Sequence, residues 1–196
     1  MMNYLPWLLG LSAAFVLLER LFPWRREQPA LRQGLLRDAG FLALNGHVYA
    51  LLTASLSGAT AVAATQVLQL AGLRLAGSPV PRWPLAAQFL ALLVLSDFLQ
   101  WCIHNLLHRL PWLWTIHKVH HSVTTMDWIA NWRFHWLEIV VYKMLQWLPL
   151  AWLSAAPEAA FLVAVLTTAW GDFNHANLGV GLGRLGRVLN NPRMHL

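Results

Sequence analysis

Charge is scarce in this chain. Only 11% of its 196 residues are Asp, Glu, Lys or Arg, against about 25% in an ordinary soluble domain. That deficit excludes a disordered chain, a coiled coil and most water-soluble folds, because each needs a polar surface. Acidic residues are the scarcest, 8 against 14 basic ones. Cysteine is nearly absent, and the single Cys102 excludes an internal disulfide and a cysteine-rich metal site. Packing is the role expected of Cys102. No low-complexity tract, internal repeat or linker marks off a second soluble domain.

What remains is apolar. Hydrophobic residues make up 58% of the chain and the mean hydropathy is +0.48. The expected fold is all-α, an integral membrane helical bundle. A membrane helix needs roughly 20 mostly apolar residues, and four or five segments approach this. Residues 4–22 carry no basic residue in front and Arg25, Arg26, Arg32 and Arg37 behind, the reverse of a cleavable signal peptide. They are expected to form an uncleaved anchor. Residues 41–73 form a second run, long enough to tilt or kink, with His47 as a buried polar residue inside it. Residues 84–108 form a third. Residues 136–154 and 159–170, separated by Pro157, read as two spans or as a hairpin dipping into the bilayer.

Basic residues tend to stay on the cytoplasmic side. The four arginines between residues 23 and 40 place that loop inside. Arg109, Lys118, Arg133, Arg184, Arg187 and Arg193 then return to the same face. The net charge of +6 is accounted for by this topology, so no nucleic-acid partner is expected. Trp112, Trp114, Trp128, Trp132 and Trp136 read as an interfacial belt. Arg109 and Arg133 read as lipid-headgroup or loop contacts.

Eight of the nine histidines lie beyond residue 100: His104, His108, His117, His120, His121, His135, His175 and His195. The topology, drawn from hydropathy and charge alone, brings all eight to the cytoplasmic ends of membrane segments. His104 and His108 are four apart and share a helix face, as do His117 and His121. The adjacent His120 and His121 diverge by about 100° around a helix, so neighbours can serve different ions. Pro111 can end the first helix and turn the chain so that the second cluster faces it.

Imidazole suits Fe, Zn, Cu and Ni. Five histidines within 18 residues, with three more downstream, exceed what one ion needs, and two ions are the natural count. Asp97, Asp127, Glu138 and Asp172 are the acidic groups near the clusters. They are expected to accept ring N–H groups and so fix the orientation of ligating histidines. Asn174 and Asn177, on either side of His175, are further candidates for that task. A histidine-rich metal-binding or transport protein would place its ligands at the bilayer midplane and along a path between the faces, not at one face. A bis-histidine haem protein would leave His120–His121 unexplained.

The motifs HNLLHR at 104–109, LWTIHKVHHS at 113–122, MDW at 126–128, RFHWLE at 133–138, NHAN at 174–177 and NPRMH at 191–195 together resemble the fatty acid hydroxylase / sterol desaturase superfamily. The resemblance covers roughly residues 90–196 and divides the chain into N-terminal anchor spans, 1–80, and a hydroxylase-like di-metal domain, 81–196. Position by position, it assigns His104 and His108 to the first histidine motif and His117, His120 and His121 to the second. His135 and His175 match the intervening histidines, and His195 opens the last motif. It implies a membrane-bound oxygenase with two iron ions, O2 as co-substrate and a lipid substrate that is hydroxylated or desaturated. Electrons would come from a separate cytochrome, ferredoxin or reductase, because no flavin or haem motif is visible. Residue usage points to a bacterial inner membrane.

Two departures stand out. Trp136 replaces the proline that the family usually carries after the histidine at 135. The last HxxHH motif also runs off the chain, since its closing histidines would fall at positions 198 and 199. The expectation is therefore a C-terminally incomplete domain from a longer protein, or else a catalytically inactive family member.

Overall fold

The computed structural model describes residues 4–45, 66 and 78–195. The expected second span, residues 41–73 with His47, falls almost wholly outside the described residues. Among those described, the secondary structure is helical, with no named strand. The helices are α1 (Tyr4–Leu21), α2 (Leu35–Ala43), α3 (Leu85–Arg109), α4 (Pro111–His117), α5 (Trp136–Trp152), α6 (Pro157–His175) and α7 (Pro192–His195). Short 3-10 turns at His120–Ser122 and Trp128–Trp132 lie between α4 and α5.

Local chemistry sets these boundaries. Phe22 precedes Pro23, and a residue before proline is pushed out of the α region, so α1 stops there. Leu110, extended at φ −96° and ψ 116°, separates α3 from α4 for the same reason. Pro111 then opens α4 and Pro157 opens α6, at first-turn positions where the missing N–H costs nothing. Gly34 precedes α2 with φ +85°, a left-handed conformation that glycine adopts without a Cβ penalty.

Among the described residues, α1 and α3 are long and apolar enough to cross a membrane. At 1.5 Å per residue, the 25 residues of α3 extend about 38 Å, more than the roughly 30 Å of bilayer hydrocarbon. Their flanks point outward. Leu9, Leu17 and Leu21 on α1 are each more than half exposed, as are Leu90, Val94 and Trp101 on α3. In water such contiguous apolar surface would be an interaction hazard, whereas acyl chains are its natural surroundings. The expected segment at 136–154 is present as α5, and that at 159–170 as part of α6.

The chain divides into two interleaved compact units. One contains residues 1–46, 118–134 and 164–196. Its core is Phe15 of α1, Trp128, Ile129, Ala176 and Leu178, with Leu35, Ala39 and Leu42 of α2 packed against it. Glu19, near the end of α1, accepts hydrogen bonds from the backbone N–H groups of Trp128 (2.9 Å) and Asn177 (2.7 Å). Trp128 is thus a core residue rather than a belt residue. Trp132 also turns inward, its Nε1–H donating to Asp172, while Trp112 and Trp136 remain exposed.

The other unit contains residues 47–117 and 135–163. Along α3, Gln88, Leu92, Ser96, Ile103 and Leu107 are buried, at the spacing of one helix face. Leu92 packs with Ala159 and Val163, and Ile103 and Leu107 pack with Leu113. Two polar contacts interrupt this apolar stripe. Gln146 Nε2 donates to Ser96 Oγ at 2.9 Å, and the Ala156 N–H donates to Gln88 Oε1 at 2.7 Å.

Candidate metal centre

In the unit built from α3, α4, α5 and the start of α6, three histidines converge. The i, i+4 spacing puts His104 and His108 on one face of α3, with their Nε2 atoms 3.1 Å apart. Because α4 restarts at Pro111, its last residue, His117, is carried back to them. The His117 ring lies 4.9 Å from both, nearly perpendicular to each. One ring nitrogen from each of the three falls within 4.8 Å of the others, close enough to hold one metal ion. Trp114 flanks His108 and His117 at 5.2 and 6.0 Å.

Glu138, in the first turn of α5, orients the group. Its Oε1 accepts the Nδ1–H of His117 at 2.7 Å, and both side chains are 1% exposed. That hydrogen bond leaves the lone pair on His117 Nε2, the arrangement a metal ligand needs. Glu138 Oε2 is buried with no partner among the described residues.

The unit built from α1, α2, the 118–134 segment and the end of α6 contains a second histidine pair. The Nε2 atoms of His120 and His175 face each other at 3.0 Å. Their opposite ring nitrogens are anchored on backbone: His175 Nδ1–H donates to the Gly171 carbonyl at 2.8 Å, and His120 Nδ1–H to the Arg133 carbonyl at 3.3 Å. Both Nε2 atoms therefore present lone pairs to one another, which repel unless a proton or a cation lies between them. Phe134 stacks flat on the His120 ring, 4.7 Å away, and holds its plane. His121 is exposed, its ring perpendicular to that of His120 at 5.4 Å.

The group of His104, His108 and His117 could hold a metal ion, and the His120–His175 pair offers two further imidazoles. The donors are imidazoles, and those of His117, His120 and His175 are oriented by a hydrogen bond at Nδ1, a set suited to Fe, Zn, Cu or Ni. The HxxHH segment is not one continuous helix, however. α4 ends at His117, and His120 begins a 3-10 turn, so the 100° divergence of an α-helix does not apply to His120 and His121.

Other expected site residues have different surroundings. His135 caps α5, its Nδ1 accepting the Leu137 N–H at 3.2 Å while its ring stacks on Trp136. His195 lies in the backbone of α7, and its side chain is outside the described residues. Asp97 is exposed on α3. Asp172 is fully buried and accepts from Asn131 (2.9 Å) and Trp132 (3.0 Å) rather than from a histidine. Asn174 is buried with its Oδ1 unpartnered among the described residues. Asn177 pairs with the backbone of Arg25.

Asp127 departs most from expectation. It is held by Arg32, whose Nε donates to Asp127 Oδ2 at 2.8 Å, and not by an imidazole. The same guanidinium donates to Asp38 Oδ2 at 2.7 Å. Arg133, read from sequence as a headgroup or loop contact, is 2% exposed and grips Asp38 with two bonds of 2.7 and 2.8 Å. Burial alone would lower the Arg32 pKa, but the hydrogen bonds and charges of Asp127 and Asp38 outweigh it and raise the value. Hydropathy and charge counting treat Arg32 and Arg133 as topology markers. Nothing in their spacing marks Asp38 as their partner.

A profile of the fatty acid hydroxylase family matches residues 89–196, more than half of the chain. The ornithine lipid hydroxylase OlsE of Rhizobium tropici is 33% identical over 115 residues, which is 58% of this chain and 34% of that relative. The chain thus spans about a third of the length of the curated relative it matches. No solved structure matches significantly.

Proposed function

The chain belongs to the fatty acid hydroxylase family, and from that premise we propose that it hydroxylates an unactivated C–H bond of a membrane lipid, using two iron ions, O2 and electrons from a separate carrier protein. Residues 81–196 are the metal-binding part and residues 1–80 the membrane anchor. The observation that carries the reading is the pair of histidine groups, each with Nε2 atoms about 3 Å apart. His104, His108 and His117 would hold one ion. His120 and His175 would serve the other, with His121, His135 and His195 as further candidate ligands. When bound, iron supplies the O2-activating redox chemistry that no side chain here can provide.

The residues' own tasks are simpler. Glu138 accepts the Nδ1–H of His117, and the Gly171 and Arg133 carbonyls do the same for His175 and His120, so the rings are held with Nε2 aimed away from these partners. Trp114 and Phe134 supply apolar surface beside the rings. The outward apolar flanks of α1 and α3 suit a substrate that arrives from the bilayer. The named relative makes ornithine-containing lipid the first substrate class to offer, and the chemistry extends to other acyl lipids. On this proposal the protein resides in a bacterial inner membrane with the histidines at the cytoplasmic face.

The test is iron content of the detergent-purified chain, followed by mass spectrometry of ornithine lipid incubated with it, a reductase system and 18O2. Iron in the protein and one 18O atom in the lipid support the reading. Iron-free protein, or labelled lipid formed equally by a His120→Ala variant, would overturn it.

A further inference from the structure

Asp127, Arg32, Asp38 and Arg133 form a buried chain of alternating charge. Arg32 bonds Asp127 with Nε and Asp38 with Nη2. Asp38 bonds Arg133 through both oxygens. Arg133 Nη1 then donates to the Ser122 carbonyl at 3.1 Å and to Ser122 Oγ at 3.3 Å. All four side chains are at most 10% exposed. Four residues from two separate stretches of sequence, 32–38 and 127–133, are thus locked through planar forks and carboxylates, a geometry far more directional than a point charge.

Arg133 holds the His120–Ser122 turn from two sides. Its guanidinium grips Ser122, at the end of the turn, while its own carbonyl accepts the Nδ1–H of His120, at the start. We propose that this ion chain, acting through Arg133, is a positioning device that fixes the rotation and tautomer of His120 and so sets its Nε2 against that of His175. The proposal rests on the metal-binding reading above and adds to it a source of geometry remote from the imidazoles.

The balance of charge says how the device acts. Two arginines and two aspartates sum to zero, so the chain neither attracts nor repels a cation by net charge. Its influence on a metal must be geometric. Buried ion pairs often add little net stability relative to an apolar replacement, and the best-attested use of such groups is to specify one arrangement among several. Gly34 reinforces the arrangement. Its φ is +85°, and a Cβ there would stand 3.6 Å from Arg32 Nη1 and 3.7 Å from Arg133 Nη2. The positive φ, which glycine adopts without penalty, lets the main chain turn beside both guanidinium groups.

The experiment compares the full chain with Arg133→Lys and, as a control, Ser96→Ala, which loosens the other unit. Each is read by thermal unfolding, by iron content and by the visible absorption of the Co(II)-loaded protein. Arg133→Lys keeps the charge but cannot span Asp38 and Ser122 together. It is expected to halve the iron content and alter the cobalt spectrum, with a spectrum matching that of His120→Ala, while Ser96→Ala changes neither. If Arg133→Lys does not fold, Asp127→Asn, at the far end of the chain, is expected to give a smaller loss in the same direction. Unchanged metal content and spectrum in the folded variant would overturn the positioning role while leaving the metal-binding reading intact. An equal loss of metal in Ser96→Ala would reduce the effect to general stability and also overturn it. A wild-type chain that binds no iron or cobalt would overturn both.

Discussion

His117 and Glu138 join two helix ends through one hydrogen bond of 2.7 Å. His117 is the last residue of α4 and Glu138 sits in the first turn of α5. A carboxylate is favoured near a helix N-terminus, so the α5 dipole supports Glu138 in this position. Replacing Glu138 with Gln retains the shape but removes the anion that orients the ring. The expected outcome is a 10- to 100-fold loss of metal affinity, roughly what removal of such orienting groups costs elsewhere. Competition with a chromophoric chelator would measure it, and unchanged affinity would show that His117 is aimed by something else.

Asp38 should matter more to stability than any other aspartate. It is completely buried and shared by two guanidinium groups. Asp38→Ala would leave two buried cations short of a partner, a loss of about 3–5 kcal/mol. Denaturant unfolding in detergent should report it, and a loss below about 1 kcal/mol would mean that the cluster is open to solvent.

Gly171 lies where the backbone of α6 meets Asn131. A Cβ at this position would stand 2.9 Å from Asn131 Nδ2 and 3.0 Å from its Oδ1. Asn131 is itself bonded to Asp172, so it cannot move without losing that contact. Gly171→Ala should destabilise the protein by about 1–3 kcal/mol, the usual cost of overpacking. A double variant that also carries Asn131→Ala should recover part of the loss. Equal melting temperatures for Gly171→Ala and wild type would contradict the geometry.

Ser96 and Gln146 bond inside an apolar interface. Hydrogen bonds of this kind between membrane helices contribute about 0.6–2 kcal/mol. Ser96→Ala should therefore lower the melting temperature modestly and leave metal content unchanged. Loss of metal with no change in melting would be the opposite of what this contact predicts.

The sequence carried the helical class and the family, because both are written in features that tolerate ignorance of packing: apolar runs, proline positions and histidine spacing. Pro111 is the clearest case, since restarting the helix there delivers His117 to His104 and His108. The Arg32–Asp38–Arg133 contacts were not legible. They join residues as many as 95 positions apart in sequence, and each arginine taken alone resembles a topology marker. The position of Trp128 was hidden for a similar reason. A tryptophan in a belt and a tryptophan in a core look identical in a hydropathy window. The split of HxxHH between a helix end and a 3-10 turn was also invisible, because i, i+3 and i, i+4 spacings do not announce where a helix stops.

The two polar contacts on α3 have a metric consequence. Gln88 and Ser96 cannot both keep their partners if the helix slides, so its register is pinned. From Gln88 to His104 is 16 residues, about 24 Å along a helix axis, or most of the thickness of a bilayer's hydrocarbon. A slip of one turn would carry the imidazoles about 5.4 Å, the length of several methylene groups. The hydrogen bonds near the start and in the middle of α3 thus act as a gauge, setting where along the helix axis, relative to α5, His104 and His108 stand.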